Sequence, residues 1–240
     1  CAPLILLGIM LAFITSGFAR NMSSPFGQLL LSVVPIQTAM LLPPVTIVLI
    51  YPGLKHLRKS FGLMNWSPYY WKEAMTAFAI LLPTSIFLAS IGLLITWLFD
   101  IQPTSPFEQL MESSDIGGIA ILLIVAVVVA PIAEEIAFRR VIFGFVRGSL
   151  GTIPALIITS GFFAVIHLGL VKFLPLLFLG FLLQLLYIRH NSIIPCVMLH
   201  FLNNAVAVII LLPSLIPKIP KHFQLMINEC VGAAIVLAAC

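Results

Sequence analysis

The stretch Ala130-Pro131-Ile132-Ala133-Glu134-Glu135-Ile136-Ala137-Phe138-Arg139-Arg140 decides how this chain is read. It follows an apolar run, 119–129, that contains no polar side chain. Two adjacent carboxylates and two guanidinium groups then appear inside what the hydropathy makes a membrane helix. Ionisable groups at that depth cost about 2.5–3.5 kcal/mol each on insertion scales, so their default meaning is a functional site.

The composition supports a membrane setting. Of 240 residues, 61% are hydrophobic and 8% charged, whereas a soluble domain carries about 25% charged residues. The chain reads as all-α, a single integral-membrane domain over 1–240 with a motif-bearing core at about 116–212. About eight apolar stretches approach the length a bilayer demands. They are 2–19, 29–51, 74–99, 116–145, 152–170, 173–188, 192–212 and 223–240. The first carries no basic leader and no small-residue cleavage site, so it reads as a span rather than a signal peptide. The net charge of +4 is spread over short loops, which fits membrane topology and not nucleic-acid binding. Cys1, Cys196, Cys230 and Cys240 have no metal spacing and read as small buried apolar residues.

Loop charge sets an expected orientation. Lys55, Arg58, Lys59, Lys72, Arg139, Arg140, Arg147 and Arg189 fall on one side, and Arg20, Lys172, Lys218 and Lys221 on the other. The positive-inside rule places the richer side, and both termini, in the cytoplasm. The cluster Trp66-Ser67-Pro68-Tyr69-Tyr70-Trp71-Lys72 reads as an interfacial belt or as a plain basic loop on that side. The 100–115 loop reverses sign, with Asp100, Glu108, Glu112 and Asp115.

Helix phase sorts the central polar groups. Glu135 and Arg139 are four apart, in the favourable acid-first order, and are expected to pair. Glu134 is rotated by about 100° from Glu135 and is left available. Pro131 removes a backbone donor just before the pair and is expected to bend the helix. Taken alone, His167 reads more readily as a helix–helix hydrogen bond than as a catalyst. It shares a helix face with Phe163. His200 and Asn204 share another; the pair reads either as interhelical polar glue or as two donors able to receive a developing negative charge. Depth joins them. At 1.5 Å per residue, Glu134 lies roughly 20 Å from the helix end at Gly148, His167 about 22 Å from Thr152, and His200 and Asn204 about 12 and 18 Å from Ser192. Three helices thus deliver a carboxylate, two imidazoles and an amide to one layer.

Glu134-Glu135-Ile-Ala-Phe-Arg139, Phe163-Ala-Val-Ile-His167 and His200-Phe-Leu-Asn-Asn204 follow the patterns E-E-x-x-x-R, F-x-x-x-H and H-x-x-x-N. Their order and spacing resemble the CAAX-protease and bacteriocin-processing (CPBP, or ABI) family of intramembrane endopeptidases. The motifs cover about 134–204. The resemblance implies an eight-helix glutamic-type protease, a hydrolase whose site opens toward the cytoplasm. It implies that Glu134 and His167 activate a water, that His200 and Asn204 form the oxyanion hole, and that Glu135, Arg139 and Phe163 support them. No metal or other cofactor is implied. The substrate would be a membrane-associated peptide, a lipidated CAAX protein or a bacteriocin leader, and the setting a bacterial inner or plasma membrane.

Three rivals stand beside this reading. Glu134, His167 and His200 could ligate zinc, although H-E-x-x-H, the strong zinc-protease signal, does not occur. The fold could be a non-enzymatic scaffold or immunity protein. Buried Glu and His also make transporter proton relays, although no inverted repeat is visible. Gly144 and Gly148 form a small-xxx-small pair that would suit close helix packing.

Overall fold

A computed structural model describes residues 67–101, 116–167 and 169–215. The expected spans at 2–19, 29–51 and 223–240, the Lys55 loop and most of the acidic loop lie outside the described residues. Every described element is helical. They are α1 (Tyr69–Leu98), α2 (Ile116–Leu150), α3 (Thr152–Ile166), α4 (Leu170–His190) and α5 (Ile194–Leu215). Four of them are long and apolar enough to cross a membrane; α3, with 15 residues, is shorter. Large apolar side chains cover the outside, including Phe87, Trp97, Phe145, Ile153 and Ile210. That arrangement suits lipid and would be costly in water. The protein is an integral membrane protein.

The boundaries have local causes. Gly151, at φ 86°, makes the turn between α2 and α3, a conformation that costs glycine least. Asn191, at φ 47°, closes α4 in the left-handed region, a common helix stop. Helix α3 ends at Ile166, short of the expected 170. Its last turn is closed by a side chain: the His167 ring nitrogen Nδ1 lies 2.7 Å from the Phe163 carbonyl oxygen. A helix that stops within an apolar layer must satisfy its terminal carbonyls locally, and His167 does so for one of them.

Pro131 does not break α2. The helix runs on as α-helical turns interrupted by two wide π turns, Val125–Val129 and Ile136–Ile142. These bracket the six residues Ala130–Glu135 that carry the two glutamates. Single-turn π segments of this kind are frequent at functional sites.

Helix α4 packs on α1 and α3, and α5 packs on α1 and on the glutamate-bearing part of α2. Ala74, Leu81, Phe138, Phe163, Leu183 and Leu199 meet in the core. Cys196 is buried and free, with Sγ 3.2 Å from the Leu183 carbonyl, so it behaves as a small core residue. At one end of the bundle Glu73 of α1 meets Arg189 at 3.3 Å and His190 at 3.5 Å on α4. Arg140 of α2 donates to the Tyr187 hydroxyl at 3.1 Å. Of the basic residues grouped on one side by loop charge, Arg140 and Arg189 thus both lie at the last turns of α4. Gly144 and Gly148 play no part in this packing: a Cβ built on either meets nothing within 4 Å.

Helices α1 and α4 approach closely at Gly92. A Cβ there would lie 2.7 Å from the Val171 Cα and 2.9 Å from its carbonyl oxygen. Both are backbone atoms that cannot swing away. Gly92→Ala gains about 1 kcal/mol in helix propensity but costs about 1–3 kcal/mol in overpacking. We expect a net loss, read as a melting temperature several degrees lower in detergent; an unchanged melt would show that the helices can separate here freely.

Candidate active site

Glu135 and Arg139 form the floor. Arg139 Nε lies 2.8 Å from Glu135 Oε2 and Nη2 lies 3.4 Å from Oε1, with both side chains fully buried. The expected pairing is present. The guanidinium also lies 5.2 Å from the Phe163 ring centre and 5.9 Å from that of Phe138. Two aromatic faces therefore help carry a charge that has no water around it.

Glu135 has a second partner that helix phase could not reveal. His200 Nδ1 lies 2.9 Å from Glu135 Oε1, and His200 is buried. With Glu135 ionised against Arg139, His200 Nδ1 carries the hydrogen and its Nε2 faces the other way. There it meets Glu134, whose Oε2 is 3.7 Å distant. Glu134 is buried too.

His167 approaches the same carboxylate from the opposite helix. Its Nδ1 is committed to the Phe163 carbonyl, and a carbonyl only accepts, so Nδ1 carries the hydrogen. Its Nε2 is then the free nitrogen, 3.7 Å from Glu134 Oε2. The i, i+4 spacing of Phe163 and His167 fixes the tautomer as well as the direction. Both imidazoles thus aim Nε2 at one oxygen, at a separation too long for a direct hydrogen bond and suited to a group held between them.

Phe163 is the wall against which these groups stand. Its fully buried ring lies 4.7 Å from the His167 ring and 5.6 Å from the His200 ring. Gly180 of α4 lets Ser160 and Phe163 sit close, a built Cβ falling 3.2 Å from Ser160 Cα and 3.3 Å from the Phe163 ring.

Asn204 stands differently from expectation. Its Nδ2 donates to the Ala126 carbonyl at 2.8 Å, and its Oδ1 accepts from Asn203 Nδ2 at 3.1 Å. One of its two amide hydrogens is therefore engaged with the backbone of α2. His167 and Asn204 are only partly buried, in contrast to Glu134, Glu135, Arg139 and His200.

The site thus gathers Glu134, Glu135, Arg139, Phe163, His167 and His200 around one buried carboxylate, with Asn204 of α5 bonded to the Ala126 carbonyl of α2. Glu73, Arg189 and His190, which the sequence reading had not linked to one another, form a separate polar cluster. Among the described residues, no group of three or more His, Cys, Asp or Glu side chains has an arrangement that could hold a metal ion.

Comparison with known proteins bears on the same segment. Residues 116–206 match the family model described as "Type II CAAX prenyl endopeptidase Rce1-like". Over this segment the chain is similar to that family. The matched residues contain all three motifs and every side chain of the cluster. The chain is also 33% identical over 94 residues to a Bacillus subtilis (strain 168) protein named "Putative membrane peptidase YdiL". That alignment covers 39% of this chain and 38% of the relative, so the chain spans well under half of the relative it matches. No solved structure matches.

Proposed function

We propose that this protein is an intramembrane endopeptidase of the glutamic type. It would hydrolyse a peptide bond of a membrane-associated, CAAX-type or leader-like substrate. The observation that carries the reading is the convergence of His167 Nε2 and His200 Nε2 on Glu134 Oε2, each at 3.7 Å, in a segment matching an endopeptidase family.

Hydrolysis needs a deprotonated water, a donor for the oxyanion and a proton for the leaving amine. Glu134 is the general base, and His167 Nε2 holds the water against it. A proton taken by Glu134 can pass to His200 Nε2, because Nδ1 of that ring is already tied to Glu135. On Nε2 it becomes a donor for the tetrahedral oxyanion, together with the second Nδ2 hydrogen of Asn204. As the tetrahedral intermediate collapses, that proton returns from His200 Nε2 by way of Glu134 to the leaving amine, which completes the cycle. Glu135, Arg139 and Phe163 hold His200 and His167 in place. The mechanism uses no metal and no other cofactor.

The wider reading is a bundle of about eight helices in a bacterial inner or plasma membrane, with the site opening to the cytoplasm past the part-exposed His167. Its partners are the peptide or lipidated-protein substrate and the bilayer, with no nucleic acid.

The deciding experiment is cleavage of peptides by purified, detergent-solubilised protein, with and without a chelator. Cleavage indifferent to chelator is expected. Cleavage lost with chelator and restored by zinc would overturn the glutamic mechanism in favour of a metalloprotease.

A further inference from the structure

The wide turn ahead of the glutamates leaves one carbonyl without a helical donor. In an α-helix the Ala126 carbonyl would accept from the Ala130 N–H, but that N–H bonds to the Val125 carbonyl. In a π turn the Ala126 carbonyl would accept from residue 131, which is Pro131 and has no N–H. Leaving such a group unpaired in an apolar layer is costly. The partner it finds comes from another helix. Asn204 Nδ2 donates to it at 2.8 Å, and the Asn203–Asn204 hydrogen bond at 3.1 Å sets the amide the right way round.

We propose that Asn204 is a positioning residue: by capping the Ala126 carbonyl it holds the wide turn at Val125–Val129 and so fixes the register of Glu134. The inference rests on Glu134 being the base. The geometry makes the consequence large. Relaxing a wide turn into an α turn by one residue rotates everything beyond it by about 100° and shifts it by about 1.5 Å. Glu134 would then leave both imidazoles. A misplacement of about 1 Å at a reacting group can cost on the order of 10²-fold in rate. A residue that only donates to the oxyanion would also lower the rate when removed. The two roles therefore have to be separated by something other than activity.

Pro131 supplies the separation. Alanine at that position restores an N–H five residues after Ala126, which can take over the cap. The test is a cycle of Asn204→Ala, Pro131→Ala and the double variant in the full chain. Each is measured for kcat, KM and detergent melting temperature. Asn204→Ala is expected to melt several degrees below wild type and to lose on the order of 10²-fold in kcat. The double variant is expected to regain most of the melting temperature and about tenfold in kcat, the remaining rate loss being that of the missing oxyanion donor.

An Asn204→Ala protein that melts with wild type or above it would overturn the proposal. So would a double variant with the same rate loss, relative to Pro131→Ala, as the single one has relative to wild type. If Pro131→Ala does not fold, the melt of Asn204→Ala decides alone. If the wild type cleaves no peptide offered, the melting cycle still tests the cap, and it is the protease reading that is put aside.

Discussion

Glu134→Gln is expected to remove peptide cleavage while leaving the fold intact. Glutamine has the shape of glutamate and can stay between His167 and His200, but it cannot take a proton from water. Loss of a general base costs on the order of 10²–10⁴-fold in rate. The fold should not suffer. Among the described residues Glu134 is buried with no Lys or Arg partner, because Arg139 is engaged by Glu135. A neutral amide there relieves a buried charge, and substitutions of this kind at active sites commonly stabilise. The expected result is therefore a cleavage rate at background together with a melting temperature equal to or above that of wild type. Full activity in the variant would sink the mechanism. Lost activity with a collapsed melt would make Glu134 a structural residue instead. His167→Ala makes a useful companion, since it removes both the nitrogen facing Glu134 and the cap on the Phe163 carbonyl.

The part of this arrangement legible in the sequence is the part governed by helix periodicity. Glu135 and Arg139 pair because they are four apart, and Phe163 meets His167 for the same reason. The common depth of Glu134, His167 and His200 followed from counting residues at a fixed rise. Three things were hidden. The hydrogen bond from His200 to Glu135 spans α5 and α2, and no intrahelical rule reaches between helices. The early end of α3 depends on a side chain turning back on its own helix, which hydropathy does not register: 152–170 is apolar apart from Thr152, Thr159, Ser160 and His167. The two wide turns in α2 were announced only by Pro131, and a proline says that a hydrogen bond is lost without saying how the helix absorbs the loss. That is why Asn204 reads in the sequence only as unspecified polar glue or as an oxyanion donor, although its bond to Ala126 is the direct answer to the missing donor. The link between Glu73 and the Arg189-His190 pair was equally beyond reach, since the partners come from different helices.

Arg139→Leu should be the most damaging single change for stability. Arg139 and Glu135 are each fully buried and joined at 2.8 Å, and the guanidinium is flanked by Phe138 and Phe163. Removing one member of such a pair leaves an uncompensated charge, at a cost of about 3–5 kcal/mol. Against a typical total stability of about 5–15 kcal/mol, that is a large fraction. For a domain of this size it corresponds to a drop of roughly 6–20 °C in melting temperature. Arg139→Lys should fall in between, because it keeps the charge but loses the planar fork and the stacking on the two rings. The double variant Glu135→Gln/Arg139→Leu removes both charges, and its glutamine oxygen can still accept from His200 Nδ1. We expect it to recover most of the melting temperature. Its cleavage rate should stay well below wild type, because the carboxylate that fixes the His200 tautomer is gone. A single Arg139→Leu variant that melts with wild type would show that Glu135 is held by His200 alone. A double variant that regained full cleavage would show that the ion pair shapes the bundle without serving the chemistry.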